Sequence, residues 1–91
     1  MKSRTTSRFR EAFANLPHPV KDHARQAYKR FKNNPNHPSL RFKKVHQAEP
    51  IFSVRVGLGY RAVGIQAENQ MVWFWIGSHA DYDKILRSLS K

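Results

Sequence analysis

The chain has no cysteine. That excludes disulfide staples and thiolate metal ligands, and it fits a reducing compartment. No run of ~18 apolar residues occurs, so no segment reads as a membrane-spanning helix. Met1-Lys2-Ser3-Arg4-Thr5-Thr6 is basic but leads into no apolar stretch, so it does not read as a secretory signal. The cytoplasm is the expected location. No GxGxxG, P-loop, HExxH or GxSxG pattern is present, which argues against a nucleotide cofactor or a serine hydrolase. Acidic residues are scarce, six Asp and Glu against 17 Lys and Arg.

That imbalance gives a net charge of +11 on 91 residues. A field of that sign attracts nucleic acid, an anionic membrane or an acidic protein. Self-repulsion also weakens the compact state, so an anionic partner would relieve it. The length suits a single domain over residues 1–91, burying roughly 60–65% of the surface its unfolded chain exposes. Two Trp, three Tyr and six Phe within a 40% hydrophobic composition argue for a true core rather than disorder.

The pattern changes near Asn34, helical before it and strand-like after it. Phe9, Ala12, Phe13 and Leu16 fall at i, i+3, i+4 and i+7, one face of a helix. Thr6 or Ser7 can cap its start and Pro17 ends it. Val20, Ala24, Ala27, Tyr28 and Phe31 mark a second helix, with Pro19 in its first turn and Asn33 and Asn34 at its end. Pro-His-Pro joins the two as an antiparallel helical hairpin. Leu40 to Val45 alternates apolar with basic and reads as a half-exposed strand. Phe52, Val54 and Val56 alternate in a second strand. Gly57-Leu58-Gly59 is a hairpin turn that needs positive φ. Tyr60 to Ala67 is a third strand, and Glu68-Asn69-Gln70 a second turn. Met71-Val72-Trp73-Phe74-Trp75-Ile76 is apolar throughout and reads as an interior strand covered on both faces. After Gly77, Ser78 caps a short helix whose apolar face is Tyr82, Ile85, Leu86 and Leu89. The expected fold is α+β: the helical hairpin packs on one face of a four-stranded antiparallel meander, followed by the short C-terminal helix.

Lys21, Arg25 and Lys29 lie four apart on the second helix, with Lys32 close by. They form either a solvated face or an anion-facing stripe. Arg41, Lys43, Lys44, Arg55 and Arg61 fall on sheet strands, where residues of one parity share a face. Such a face suits an RNA backbone, because phosphate contacts supply most of the affinity. The five His are His18, His23, His37, His46 and His79. None is spaced as a metal ligand beside carboxylates, so neither a metal nor a small-molecule cofactor is expected. His37 feeds the first sheet strand, and His79 sits where a buried strand turns into a helix. Either can carry protons near neutral pH.

Three motifs in order resemble the RelE/ParE superfamily of bacterial toxins from type II toxin–antitoxin systems. Gly59-Tyr60-Arg61-Ala62-Val63 resembles the family's G-Y-R-hydrophobic-V strand. Asn36-His37-Pro38-Ser39-Leu40 resembles the strand entry of the YafQ-like branch. Gly77-Ser78-His79-Ala80-Asp81 resembles that branch's terminal G-[ST]-H-x-[DE] motif. The resemblance implies a ribosome-dependent endoribonuclease (an mRNA interferase) and an acidic antitoxin partner, with mRNA on the ribosome as substrate and no membrane partner. It implies catalytic roles for Arg61, His79 and His37, and RNA-binding roles for Arg41, Lys43, Lys44 and Arg55. His46 is a further candidate from position alone. Phe52 to Gly57 lacks the His and Asp that the YafQ-like branch carries there. Only Lys2 to Thr5 precede the first helix, little room for the strand that opens the family fold. Tyr82 lies on an apolar helical face and is not equated with the active-site Tyr of the RelE branch. Two other functions fit the charge: a ParE-like non-nuclease toxin acting on DNA gyrase, and a basic RNA- or ribosome-binding module without activity.

Overall fold

A computed structural model describes residues 2–89. Its elements are β1 (Lys2–Thr5), α1 (Ser7–Ala14), α2 (His18–Asn33), a 3-10 turn (Pro38–Leu40), β2 (Lys43–Lys44), β3 (Ile51–Val56), β4 (Tyr60–Ala67), β5 (Gln70–Ser78) and α3 (His79–Leu89). The sheet runs β1-β5-β4-β3-β2. β1 is parallel to β5, and the other neighbours are antiparallel.

The sheet therefore has five strands, not four. Lys2–Thr5 carries no apolar alternation, and tertiary bonds hold it extended. Its backbone pairs with Gln70–Trp73. Ser3 accepts at Oγ from the Trp73 indole N–H at 2.6 Å and at its carbonyl from the Tyr28 hydroxyl at 2.9 Å. The buried Trp73 indole and the half-buried Tyr28 phenol need acceptors, and Ser3 supplies both.

Thr6 caps α1, its hydroxyl accepting from the Phe9 N–H at 3.1 Å. Pro19 lies in the first turn of α2. The two helices do not zip together as a hairpin. α1 rests on β5 and α2 on β3. A cleft of about 340 Å³ lies between them and the sheet, floored by Val54, Val56, Ala62, Trp73 and Ile76. The Arg25 guanidinium spans it, 5.3 Å from the Phe13 ring. Phe31 anchors this side, edge-on to Phe42 at 5.0 Å and to Trp73 at 5.2 Å.

The helices do not share one face either. α3 covers the opposite side, where Ile51, Val63 and Tyr82 form a second buried cluster. This is why the β5 run is apolar at every position. A bulge sorts its aromatics: Gly64 pairs with Trp73, but Val63 pairs with Trp75, leaving Phe74 as the extra residue. In a regular strand residues 73 and 75 would share a face. The bulge sends Trp73 toward α1 and α2 and Trp75 toward α3.

The expected strand over Leu40 to Val45 shrinks to Lys43–Lys44. Pro38 starts a 3-10 turn, and Arg41 follows it at φ 46°, a left-handed conformation that breaks the extended run. The β4–β5 turn is a tight Glu68-Asn69 pair, both at positive φ, as such hairpins require. No helix among the described residues is long and apolar enough to cross a membrane.

Candidate functional site

Arg61 sits on β4 directly opposite Arg55 on one side and Gly77 on the other. Directly paired residues share a sheet face. The α3 face thus receives Lys43, Ser53, Val63 and Trp75 in one row and Arg55, Arg61 and Gly77 in the next.

Ser78 fixes where α3 begins, its hydroxyl accepting from the Asp81 N–H at 3.2 Å. The His79 N–H donates to the Gly59 carbonyl at 2.8 Å, tying the helix start to the β3–β4 turn. His79 and Tyr82 then stand at i and i+3, on one helix face. Their rings lie 5.7 Å apart and within 22° of parallel. On the same Tyr82 ring, the Arg61 guanidinium lies 6.0 Å from the centroid. Trp75 closes the group at 6.5 Å. Any side chain at 77 would collide with it, since a Cβ there would come within 2.7 Å of the Trp75 ring.

Tyr82 is buried and its hydroxyl donates to Ser53 Oγ at 3.0 Å. It is therefore a fixed ring that both a guanidinium and an imidazole approach. Arg61 is half-buried and makes one hydrogen bond, Nη1 to the Tyr60 carbonyl at 2.9 Å. Most of its five donors stay free. His79 is exposed, and its ring packs against Tyr82 rather than capping a turn. An anion here would meet a guanidinium, an imidazole and the N-terminal end of α3, whose dipole favours negative charge.

The other expected residues are placed differently. His37 caps the 3-10 turn, Nδ1 accepting from the Ser39 N–H at 3.2 Å and lying 2.8 Å from Ser39 Oγ. It lies on the β2 side and does not meet Arg61 or His79. His46 is used on both nitrogens. Nδ1 accepts from the N–H groups of Ala48 and Glu49, so Nε2 donates to the Leu89 carbonyl at 2.9 Å. Lys43 faces the α3 side, whereas Lys44 pairs with Phe52 and turns its ammonium to the Gln47 carbonyl. Arg41 lies outside β2 at the end of the 3-10 turn. Arg55 shares Arg61's row, but its Nε donates to the Gly57 carbonyl at 3.0 Å. The stripe on α2 is partly self-engaged: Arg25 pairs with Asp22 at 3.0 Å, and Lys32 lies 5.6 Å from the Tyr28 ring. Among the described residues no three His, Asp or Glu side chains gather as metal ligands.

Tyr82 is the part of the cluster that periodicity hides, because its position also fits an apolar stripe. The cap at Ser78 was the available signal, since it sets the His79–Tyr82 spacing.

A family model described as a ParE-like toxin domain matches residues 18–84. Solved structures share the fold at low identity. The RelB–RelE antitoxin–toxin complex from Methanococcus jannaschii aligns with a TM-score of 0.72 at 12% identity, covering 89% of this chain and 95% of that one. YafQ from E. coli gives 0.71 at 9%, covering 89% and 96%. The RelBE2 toxin–antitoxin complex from Mycobacterium tuberculosis gives 0.68 at 18%, covering 86% and 96%. No curated protein sequence is significantly similar to the chain.

Proposed function

The chain belongs to the ParE-like toxin domain family, within the RelE/ParE superfamily, and from that premise we propose that it is a ribosome-dependent endoribonuclease held inactive by an acidic antitoxin. The observation that carries this reading is the shared Tyr82 platform, with Arg61 at 6.0 Å and His79 at 5.7 Å. In the reaction, a ribose 2′-oxygen attacks the adjacent phosphorus and the bond to the 5′-oxygen breaks. The products are a 2′,3′-cyclic phosphate and a free 5′-hydroxyl. Arg61 donates to the non-bridging oxygens as charge grows on phosphorus, an interaction stronger in the transition state than before it. His79 transfers a proton, either from the 2′-hydroxyl or to the leaving 5′-oxygen. The ribosome supplies the mRNA in a fixed geometry, and the other proton is exchanged with solvent. Lys43, on the same sheet face, adds to the positive field.

The antitoxin part rests on charge. A +11 domain suits an acidic segment that folds as it binds. Two of the similar structures are complexes of a toxin with its antitoxin.

Primer extension on ribosome-bound mRNA tests the nuclease. Wild type should give discrete cuts in the decoding site, and Arg61→Ala and His79→Ala should abolish them. A folded wild type that makes no cuts would end this reading.

A second reading has its own support. His37 and His46 are occupied as caps, which leaves one free imidazole at the site. A gyrase-directed toxin needs no acid–base pair. Inhibition of gyrase supercoiling by wild type, without mRNA cleavage, would favour it.

A further inference from the structure

The α2 side of the β3–β4 turn holds a second basic site. His23, Gln26 and Arg30 stand at i, i+3 and i+7, one stripe of α2. With Ser39, Arg55 and the turn they line an open cleft of about 370 Å³. Arg30 Nη1 donates to Ser39 Oγ at 3.3 Å, and Arg55 Nε donates to the Gly57 carbonyl at 3.0 Å. Both guanidinium groups are thereby oriented, yet neither meets a carboxylate. Among the described residues no Asp or Glu lines the cleft. The ion pair found among the described residues is Arg25 with Asp22, outside it. Arg30 and His23 thus share an opening without counter-charge, which Arg55, rooted on the α3 face and bent back to the turn by its bond to Gly57, also lines. The planar guanidinium fork matches a phosphate better than a point charge does.

The turn links this cleft to the Arg61–His79 site. Gly57 has φ +61°, and its backbone comes so near α2 that a Cβ would lie 2.7 Å from His23 Nδ1. Two residues on, the Gly59 carbonyl accepts from the His79 N–H. Arg55 and Arg61 pair directly across the ladder, their Cα atoms about 5 Å apart. Leu58, 87% exposed, forms the tip between the two sites.

We propose that this cleft binds a second phosphodiester of the RNA strand whose scissile phosphate sits at Arg61, the strand crossing the hairpin tip over Leu58. The inference rests on the RNA reading and deepens it. Continuity with the Arg61 site favours a single polyanion over a separate acidic peptide.

The test measures binding of a short 2′-O-methyl oligouridylate, which cannot be cleaved, by fluorescence anisotropy across a salt series. The variants are Arg30→Gln, the double variant His23→Asn with Arg30→Gln, and Lys29→Gln as a control. Lys29→Gln removes the same charge from the same helix outside the cleft, and Lys29 and Arg30 are both exposed. Affinity should fall about tenfold in the double variant. The slope of log K against log salt should shrink by roughly 0.7 for each phosphate that is no longer neutralised. Lys29→Gln should change affinity less than about twofold, as expected of a charge remote from the bound phosphates. Equal losses in Arg30→Gln and Lys29→Gln would reduce the cleft to a share of the general field and overturn the proposal. So would unchanged RNA binding in the double variant, or loss confined to a glutamate-rich peptide probe. If wild type binds RNA and cuts ribosomal mRNA while the double variant binds normally, the cleft proposal fails alone. If wild type binds no oligonucleotide yet cuts ribosome-bound mRNA, the cleft proposal again fails alone; if it does neither, both readings fail.

Discussion

The Tyr82 hydroxyl donates to Ser53 Oγ at 3.0 Å inside the sheet–α3 interface, and both residues are buried. This bond orients the ring that Arg61 and His79 both approach. It also explains why a serine can occupy a strand position that is only 1% exposed. Its hydroxyl has a partner, and the Tyr82 phenol has an acceptor.

Tyr82→Phe tests the bond. The substitution keeps the ring and leaves Ser53 Oγ without its donor, so stability should drop by about 1–2 kcal/mol. A urea unfolding midpoint measures it. RNA binding should change little, because the platform survives. Tyr82→Ala removes the ring and should cost about 3–5 kcal/mol. A Phe variant as stable as wild type would show that the hydroxyl contributes nothing to the interface.

His46 holds structure. Its Nδ1 takes two backbone N–H groups of the β2–β3 loop, and its Nε2 reaches the last described carbonyl of α3. His46→Ala removes three hydrogen bonds, two exposed and one part-buried, and should cost about 0.5–1.5 kcal/mol. Amide exchange should quicken at Ala48 and Glu49. Cleavage per folded molecule should stay at the wild-type level. A large loss of activity with unchanged stability would instead place His46 in the site.

Gly57 couples α2 to the turn. Gly57→Ala forces a side chain into the left-handed region, at about 1 kcal/mol, and into the His23 ring. Adding His23→Ala should recover the steric part but not the backbone part. A double-mutant cycle by thermal melting should therefore show coupling of about 0.5–1 kcal/mol. Strict additivity would mean that the ring and the turn do not touch in solution.

Much of this arrangement was legible in the sequence because local rules and burial agree. The caps at Thr6 and Ser78, the Gly57 turn and the periodic faces of α1, α2 and α3 all lie where their residues imply. What escaped depends on pairings distant in sequence. β1 has no hydrophobic alternation, and its signal is a single serine whose partners are 25 and 70 residues away. The apolar run Met71 to Ile76 does imply cover on both faces, but it conceals the Phe74 bulge that sends Trp73 and Trp75 to opposite sides. Arg61 and His79 were readable from local motifs as single residues. Their meeting at Tyr82 was not, because it needs the β4–β5 register and the position of α3 together. His37 and His46 carry an ambiguity that sequence alone does not resolve: an imidazole in a loop looks the same whether it moves protons or caps a turn.

Arg61→Lys separates charge from shape at the site. Lysine keeps one positive charge but lacks the planar fork that can hold two non-bridging oxygens at once. Ground-state RNA binding, largely electrostatic, should weaken only about two- to threefold. Cleavage of ribosome-bound mRNA should fall by about 10²–10³, the usual cost of losing one oriented donor to a transition-state oxyanion. Single-turnover rates measured at saturating ribosome concentration separate the two effects. If Lys restores full cleavage while Ala does not, Arg61 contributes field rather than geometry. The Tyr82 platform would then matter only for packing.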